Sequence, residues 1–188
     1  MSEFNEEAKE VVEEIVKKSW QREALEWVLS IVIAVVLALV IRQFVFTVVR
    51  VDGESMVPTL QHNDRLIVWR LGYTPDNGDI IVLHQAGHQP YIKRVIANEG
   101  QTVDIDFSTH TVYVDGVALE EDYINEPTAL QGDMRFPVTV GENQVFVLGD
   151  NRNNSRDSRF SDVACVDYDD ILGKAVWRFF PFKAMTTF

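Results

Sequence analysis

The chain changes its hydrophobic rhythm twice. Residues 4–20 set Phe4, Ala8, Val11, Val12, Ile15, Val16 and Trp20 at three- and four-residue intervals, with Glu and Lys between them. This spacing predicts an amphipathic helix, able to lie on a membrane face, pack on a partner or stand solvated. Between Trp27 and Ile41 the rhythm dissolves into an uncharged apolar run, followed by Arg42-Gln43 and a second apolar run from Phe44 to Val49. The first run alone is shorter than the ~20 residues a bilayer span needs. Adding the second reaches that length if Arg42 snorkels or sits near the outer interface. A buried core helix is the poorer reading, because every face is apolar and the rest of the chain reads as β. A cleaved secretory signal fits poorly too: a charged helix precedes the run, and no small-x-small site leads into an ordinary mature start. The expected organisation is a cytoplasmic amphipathic helix over 1–25, a transmembrane anchor over 26–48 and an extracytoplasmic domain over 49–188. Lys9, Lys17, Lys18 and Arg22 precede the span, against Arg42 and Arg50 close behind it. By the positive-inside rule this puts the N-terminus in the cytoplasm.

From Val49 onward the period shortens to that of strands. Runs at 65–69, 79–83, 91–96, 102–107, 145–148 and 174–179 are rich in Val, Ile and aromatics, and turn residues such as Pro75-Asp-Asn-Gly78 separate them. Thr111 to Leu119 reads as a hairpin whose Asp115-Gly116 suits a type I′ turn. The fold class expected is mostly β: coiled antiparallel sheets forming a barrel-like domain, preceded by the N-terminal transmembrane helix.

Composition narrows the chemistry. The net charge of −12 over 188 residues argues against nucleic acid, which needs a basic stripe. Residues 1–26 carry eight acids and four bases, so a third of that charge lies there. Cys165 is the single cysteine, which excludes an intramolecular disulfide or a thiolate metal cluster and reads as a buried or half-buried hydrophobe. His62, His84, His88 and His110 lack metal-ligand spacing. No metal is expected.

Three places stand out chemically. In Val51-Asp-Gly-Glu-Ser-Met-Val-Pro-Thr-Leu60 a serine sits between a strand and a Pro-containing turn. Gly53 permits close backbone approach and Pro58 stops any helix begun after Ser55. An exposed, rigid position with free N–H groups nearby is what a nucleophile needs, although most serines in turns are only turn residues. In Tyr91-Ile-Lys-Arg-Val-Ile96, strand alternation puts Lys93 on one face with Tyr91 and Val95, and Arg94 on the other with Ile92 and Ile96. A desolvated lysine there could serve as a base; an edge or snorkelling lysine is the commoner use of such a residue. The third place, Gly149 to Arg159, follows an apolar strand directly. On composition it is a solvated loop, yet it offers Ser155 between Asp–Arg combinations that could lock a loop by bidentate pairing.

Together these segments resemble the type I signal peptidases, the leader peptidase family, in its single-anchor bacterial kind. Ser55-Met-x-Pro-Thr-Leu60 is similar to that family's nucleophile motif, and Lys93-Arg94-Val95 to its lysine motif. Gly149-Asp-Asn-Arg with Ser155-x-Asp157-Ser-Arg159 is similar to its C-terminal signature. The likeness runs from Val49 to Phe180 and implies a serine endopeptidase. Ser55 would attack the scissile carbonyl, and Lys93, neutral, would be the general base. Ser155 would hydrogen-bond and orient the amine, while Asp157 with Arg159 and Asp150 with Arg94 would brace the site. Met56 would line it. Some members carry a serine two residues before the nucleophile to help bind the oxyanion; here Gly53 stands there, as it does in other members, so a two-hydroxyl oxyanion hole does not carry over. No metal or organic cofactor is implied. The implied partners are signal-peptide-bearing pre-proteins cut after small residues, membrane lipid and the secretion machinery. Val49, Val51, Leu60 and Ile92 are candidates for shallow substrate pockets, with the substrate adding a strand beside 49–54. The aromatic run from Trp177 to Lys183 suits either the outer leaflet or the end of a core strand.

Two rival readings stay in view. The self-cleaving serine/lysine protease of stress-response repressors shares the dyad, but the apolar span and the C-terminal signature argue against it. A non-enzymatic, membrane-anchored β binding module would leave serine and lysine merely structural.

Overall fold

The computed structural model describes residues 3–84 and 89–188. By contact density the chain divides into a unit ending at Phe44 and a second from Val45 to Phe188. The first is one helix, α1, Glu3–Phe44. Its stretch Arg22–Ile41, 20 residues with a mean hydropathy of 2.8, is long and apolar enough to cross a membrane without help from the second run. At about 1.5 Å per residue that is roughly the 30 Å of a hydrocarbon core. The helix stops at Phe44, where the chain turns to Val45, Thr47, Val48 and Val49. Val and Ile are frequent within α1 too, so the change is set by pairing: Phe46 to Arg50 align antiparallel with Trp69 to Arg65 of the second unit. Residues 46–48, expected in the anchor, therefore form strand instead. The side chains from Phe4 to Val16, on which the amphipathic reading rests, lie outside the described residues, as do that of Arg42 and the whole of His88.

The second unit is mostly β, with single 3-10 turns at Arg152–Asn154, Tyr168–Asp170 and Phe182–Ala184. In chain order its strands are β1 (Phe46–Arg50), β2 (Arg65–Trp69), β3 (Ile80–Leu83), β4 (Tyr91–Asn98), β5 (Thr102–Asp106) and β6 (Thr111–Val114). They continue with β7 (Val117–Ala118), β8 (Val138–Thr139), β9 (Gln144–Leu148), β10 (Val166–Asp167), β11 (Ile171–Phe180) and β12 (Thr186–Thr187). The main sheet runs β1-β2-β11-β3-β4-β9-β10 with β12 added to β11, and a smaller one runs β7-β6-β5-β8. Every pairing in both is antiparallel. Register shifts interrupt β11 on both sides and β4 between Val95 and Ala97. Such bulges bend a strand and deepen its twist, which is how the main sheet curls. The hairpin expected at Asp115-Gly116 is present, with φ of 51° and 79° at the two residues, as a type I′ turn requires.

Three apolar clusters hold this unit. Val51, Met56, Leu60, Leu66, Val68, Ile80, Val82, Ile92 and Ala175 form the one beneath the candidate site. A second, around Val103, Val112, Phe146 and Leu148, joins the small sheet to β4 and β9. The third, around Ile81, Val95, Val145 and Val147, covers the other face. Each fully buried Leu, Ile or Val contributes about 1.5–3 kcal/mol. Two of the catalytic candidates are thus rooted in rigid strand or in a segment pinned by core side chains.

Candidate active site

After β1 the backbone from Val51 to Leu60 leaves the sheet as a strap. Val51 N–H donates to the Asp64 carbonyl at 2.8 Å and Asn63 N–H to the Val51 carbonyl at 2.9 Å, so the strap's start is paired with its own return. Met56 and Leu60, both fully buried, anchor its far end, and Leu60 N–H closes a turn onto the Met56 carbonyl at 2.8 Å. Gly53 has φ +103°, and a Cβ placed there would meet nothing within 4 Å. Backbone conformation, rather than crowding, selects glycine. Ser55 lies between these fixed points. Its carbonyl accepts the Asn151 N–H at 2.9 Å, and the Glu54 carbonyl accepts Asn151 Nδ2–H at 3.0 Å. Asn151, within the Gly149-Asp-Asn-Arg run, thus clamps two successive carbonyls at the serine; its side-chain role was not foreseen.

Lys93 sits on β4, opposite Ile81 of β3, with 3% of its surface exposed. Its Nζ is 2.8 Å from Ser55 Oγ and donates to the Ile92 carbonyl at 3.0 Å. The Tyr91 ring, on the same strand face, has its centroid 5.2 Å from Nζ. Burial pushes the amine down to about 8 from its ordinary 10.5; Asp157 and Asp150 oppose the fall and Arg159 adds to it. Desolvation dominates because a charged ammonium loses its hydration in a pocket of this kind.

The 149–159 segment is locked rather than solvated. Arg159 pairs bidentately with Asp157, Nε to Oδ1 and Nη2 to Oδ2 both at 2.8 Å, and both residues are fully buried. Asp157 Oδ2 also accepts Gly149 N–H at 3.0 Å. Arg94 pairs bidentately with buried Asp150 at 2.8 and 2.7 Å, and donates to the Gly78 carbonyl at 2.8 Å. Thr59 of the strap donates to Asp150 Oδ2 at 2.5 Å. A third buried pair, Arg152 with Glu121, was missed; it also takes in Thr128 and the Gly149 carbonyl. Nothing in sequence spacing joins Glu121 to Arg152, which lie 31 residues apart.

Ser155 is placed beside these groups but does not make the bond expected of it. Its Oγ is buried without a hydrogen-bond partner among the described residues, while the Lys93 amine is engaged by Ser55 and Ile92. A Cβ on Gly149 would stand 2.2 Å from Ser155 Oγ and 2.5 Å from the Ser55 carbonyl, so only glycine lets these backbones converge. A cleft of about 220 Å³ opens over the serine, lined by Val51 to Met56, Pro90 to Lys93, Asn154 and Arg156. Of the substrate-side candidates, Val51, Met56 and Ile92 stand in its wall. Leu60 does not: it is fully buried, and its side chain belongs to the core beneath. Val49 packs on that same core from β1 and is not part of the cleft wall. Among the described residues no group of three or more His, Cys, Asp or Glu could hold a metal ion.

A hydroxyl beside a buried, deprotonatable amine in a lined cleft is an arrangement suited to acyl transfer. The model of the signal peptidase family, peptidase S26, matches residues 24–180. Signal peptidase I of Leptolyngbya laminosa is 41% identical over 153 residues, covering 75% of this chain and 72% of that one. Signal peptidase IB of Staphylococcus aureus is 34% identical over 181 residues, covering 87% and 93%. A crystal structure of a signal peptidase I from Enterococcus faecalis overlays with a TM-score of 0.46 at 32% identity, covering 55% of this chain and 98% of that one. The chain belongs to the signal peptidase family, peptidase S26. It is a serine peptidase, a peptide hydrolase.

Proposed function

We propose that this chain removes signal peptides from exported pre-proteins at the outer face of a membrane, using Ser55 as nucleophile and Lys93 as general base. The observation that carries this is the 2.8 Å approach of a buried, pKa-lowered Lys93 Nζ to Ser55 Oγ. Neutral Nζ takes the Ser55 proton as Oγ attacks the scissile carbonyl carbon. The oxyanion rests on the Ser55 N–H and one further backbone N–H or water, since Gly53 brings no hydroxyl. On collapse the C–N bond breaks and the leaving amine, the new N-terminus of the mature protein, takes the proton from Lys93. The amine then deprotonates a water, which attacks the acyl-enzyme and returns the proton to Ser55 Oγ. One amine thus performs the base and acid steps of a serine–histidine pair. Asp157 with Arg159 and Asp150 with Arg94 hold the loop that carries Asn151 against the serine. Ser155, in the same loop, is a site for a small orienting contact with the amine once substrate is bound.

Val51, Met56 and Ile92 offer small apolar surfaces, which fits substrates with small residues at the first and third positions before the cut. Residues 22–41 serve as a single-pass anchor, with the N-terminal side in the cytoplasm and residues from Val45 outside. Lipid is a partner of the anchor and of the exposed Phe182, Met185, Trp177 and Phe180 on the β unit; aromatics favour that interface. The supply of pre-proteins sets the enzyme beside the secretion machinery. The test is purified full-length chain with a purified pre-protein: cleavage in trans at one bond is expected, and Ser55→Ala is expected to be silent while still folded. Cleavage of the chain itself alone would instead favour the self-cleaving protease, and silence of the wild type a binding module.

A further inference from the structure

The strap that carries Ser55 is paired with its return segment by backbone bonds at Val51 only. Val51 donates to the Asp64 carbonyl at 2.8 Å and accepts from Asn63 N–H at 2.9 Å. In an extended ladder the next inward-facing residue, Gly53, would find a backbone carbonyl. It cannot, because its φ of +103° turns the chain out of extended geometry two residues before the serine. Its N–H instead donates to a side chain, His62 Nδ1, at 3.2 Å. The bond uses the ring's Nδ1 lone pair, with the proton on Nε2. Asp52 Oδ1 lies 3.5 Å from the same nitrogen, beyond ordinary hydrogen-bond length. His62 is half-exposed, and it has no part in the apolar cluster under the strap.

We propose that His62 is a positioning residue for the reaction: its Nδ1 takes the place of a missing ladder carbonyl and fixes Gly53, and so the backbone that aims Ser55 and its N–H at the substrate. The inference rests on Ser55 being the nucleophile. On the other side of the serine, Asn151 holds the Glu54 and Ser55 carbonyls. His62 supplies the only side-chain restraint described on the N–H side of the strap before Ser55. Without it, residues 52–54 keep Asn151 but lose the bond that sets their tilt. Oxyanion stabilisation requires donors held in place before charge develops, so the loss falls on the chemical step rather than on binding.

The test compares wild type, His62→Ala, His62→Phe and His62→Asn in full-length chain, using a quenched peptide with alanine at the first and third positions before the cut. Asn can present Oδ1 near the place of Nδ1; Phe keeps the bulk and loses the acceptor. A single net hydrogen bond corresponds to about three- to tenfold in rate. Expected are a kcat lowered by that factor in His62→Ala and His62→Phe with KM unchanged, recovery in His62→Asn, and a Tm close to wild type in all. A wild-type kcat in His62→Ala, a change in KM alone, or an Asn variant as slow as the Ala variant would overturn the proposal. Ser55→Ala run in parallel separates the two levels. If it still cleaves, the nucleophile assignment fails; if it is silent while His62→Ala is unaffected, only the role of His62 fails.

Discussion

Replacing Lys93 by methionine removes the amine while keeping most of its length, and the structure sets what this does to stability. The folded amine titrates near 8 instead of 10.5. Between those values the unfolded chain binds more protons than the folded one, so wild-type stability rises with pH across that window. Below about 8 the amine is protonated in both states and the burial penalty is present in full. It corresponds to about 3 kcal/mol at ~1.4 kcal/mol per unit. A thioether in its place would carry no such penalty, but Lys93→Met also gives up the contacts of Nζ with Ser55 and Ile92, about 1 kcal/mol net. Lys93→Met is therefore expected to be inactive yet more stable than wild type by about 2 kcal/mol at pH 7, or about 4–8 °C in Tm. That advantage should shrink as pH rises through 8, vanish a little below 10.5, and leave the variant about 1 kcal/mol less stable than wild type once the amine is neutral in both states. The assay is thermal unfolding of the full chain in detergent micelles, followed by tryptophan fluorescence at several pH values from 6 to 10.5. A Tm difference that stays constant with pH, or a variant less stable than wild type at pH 7, would refute the reasoning.

Three further outcomes are expected. Because only the neutral amine accepts the Ser55 proton, kcat/KM should climb with pH to a plateau with its midpoint near 8; a flat profile from pH 5 to 9 contradicts an amine base. Arg94→Lys keeps the charge beside Asp150 but forfeits the fork and the Gly78 contact, so it should cost about 1–3 kcal/mol of stability and lower kcat, as read by denaturant unfolding and peptide cleavage. Leu60→Ala should destabilise by about 2–5 kcal/mol and leave KM unchanged, since the side chain lies under the strap and outside the cleft.

What could be read without coordinates was what repeats locally. Alternation along 91–96 placed Lys93 with Tyr91, and the amine does stand over the Tyr91 ring. The β class, the Asp115-Gly116 hairpin and the family likeness were likewise written in short runs. Leu60 looked the same as Met56 from a motif, and both are buried in the cluster under the strap; only Met56 also reaches the cleft wall. The apolar run from Phe44 to Val49 suits a span and a strand equally; pairing of Phe46 to Arg50 with β2, which no local pattern announces, makes it strand from Phe46. Contacts made by folding were hidden altogether. Arg152 meets Glu121, Asn151 meets the Glu54 carbonyl 97 residues away, and Arg178 reaches Thr59 and Asp64 from the far end of β11. Each joins segments whose spacing carries no period.

Mass spectrometry of the chain quenched in acid during turnover of a peptide substrate decides whether the serine forms the covalent bond. The tryptic fragment containing Ser55 is expected to gain the mass of the substrate's N-terminal half in wild type, and to show no gain in Ser55→Ala or Lys93→Met. An adduct on any other residue, or a Ser55→Ala chain that still cleaves at the wild-type rate, would remove Ser55 from the mechanism.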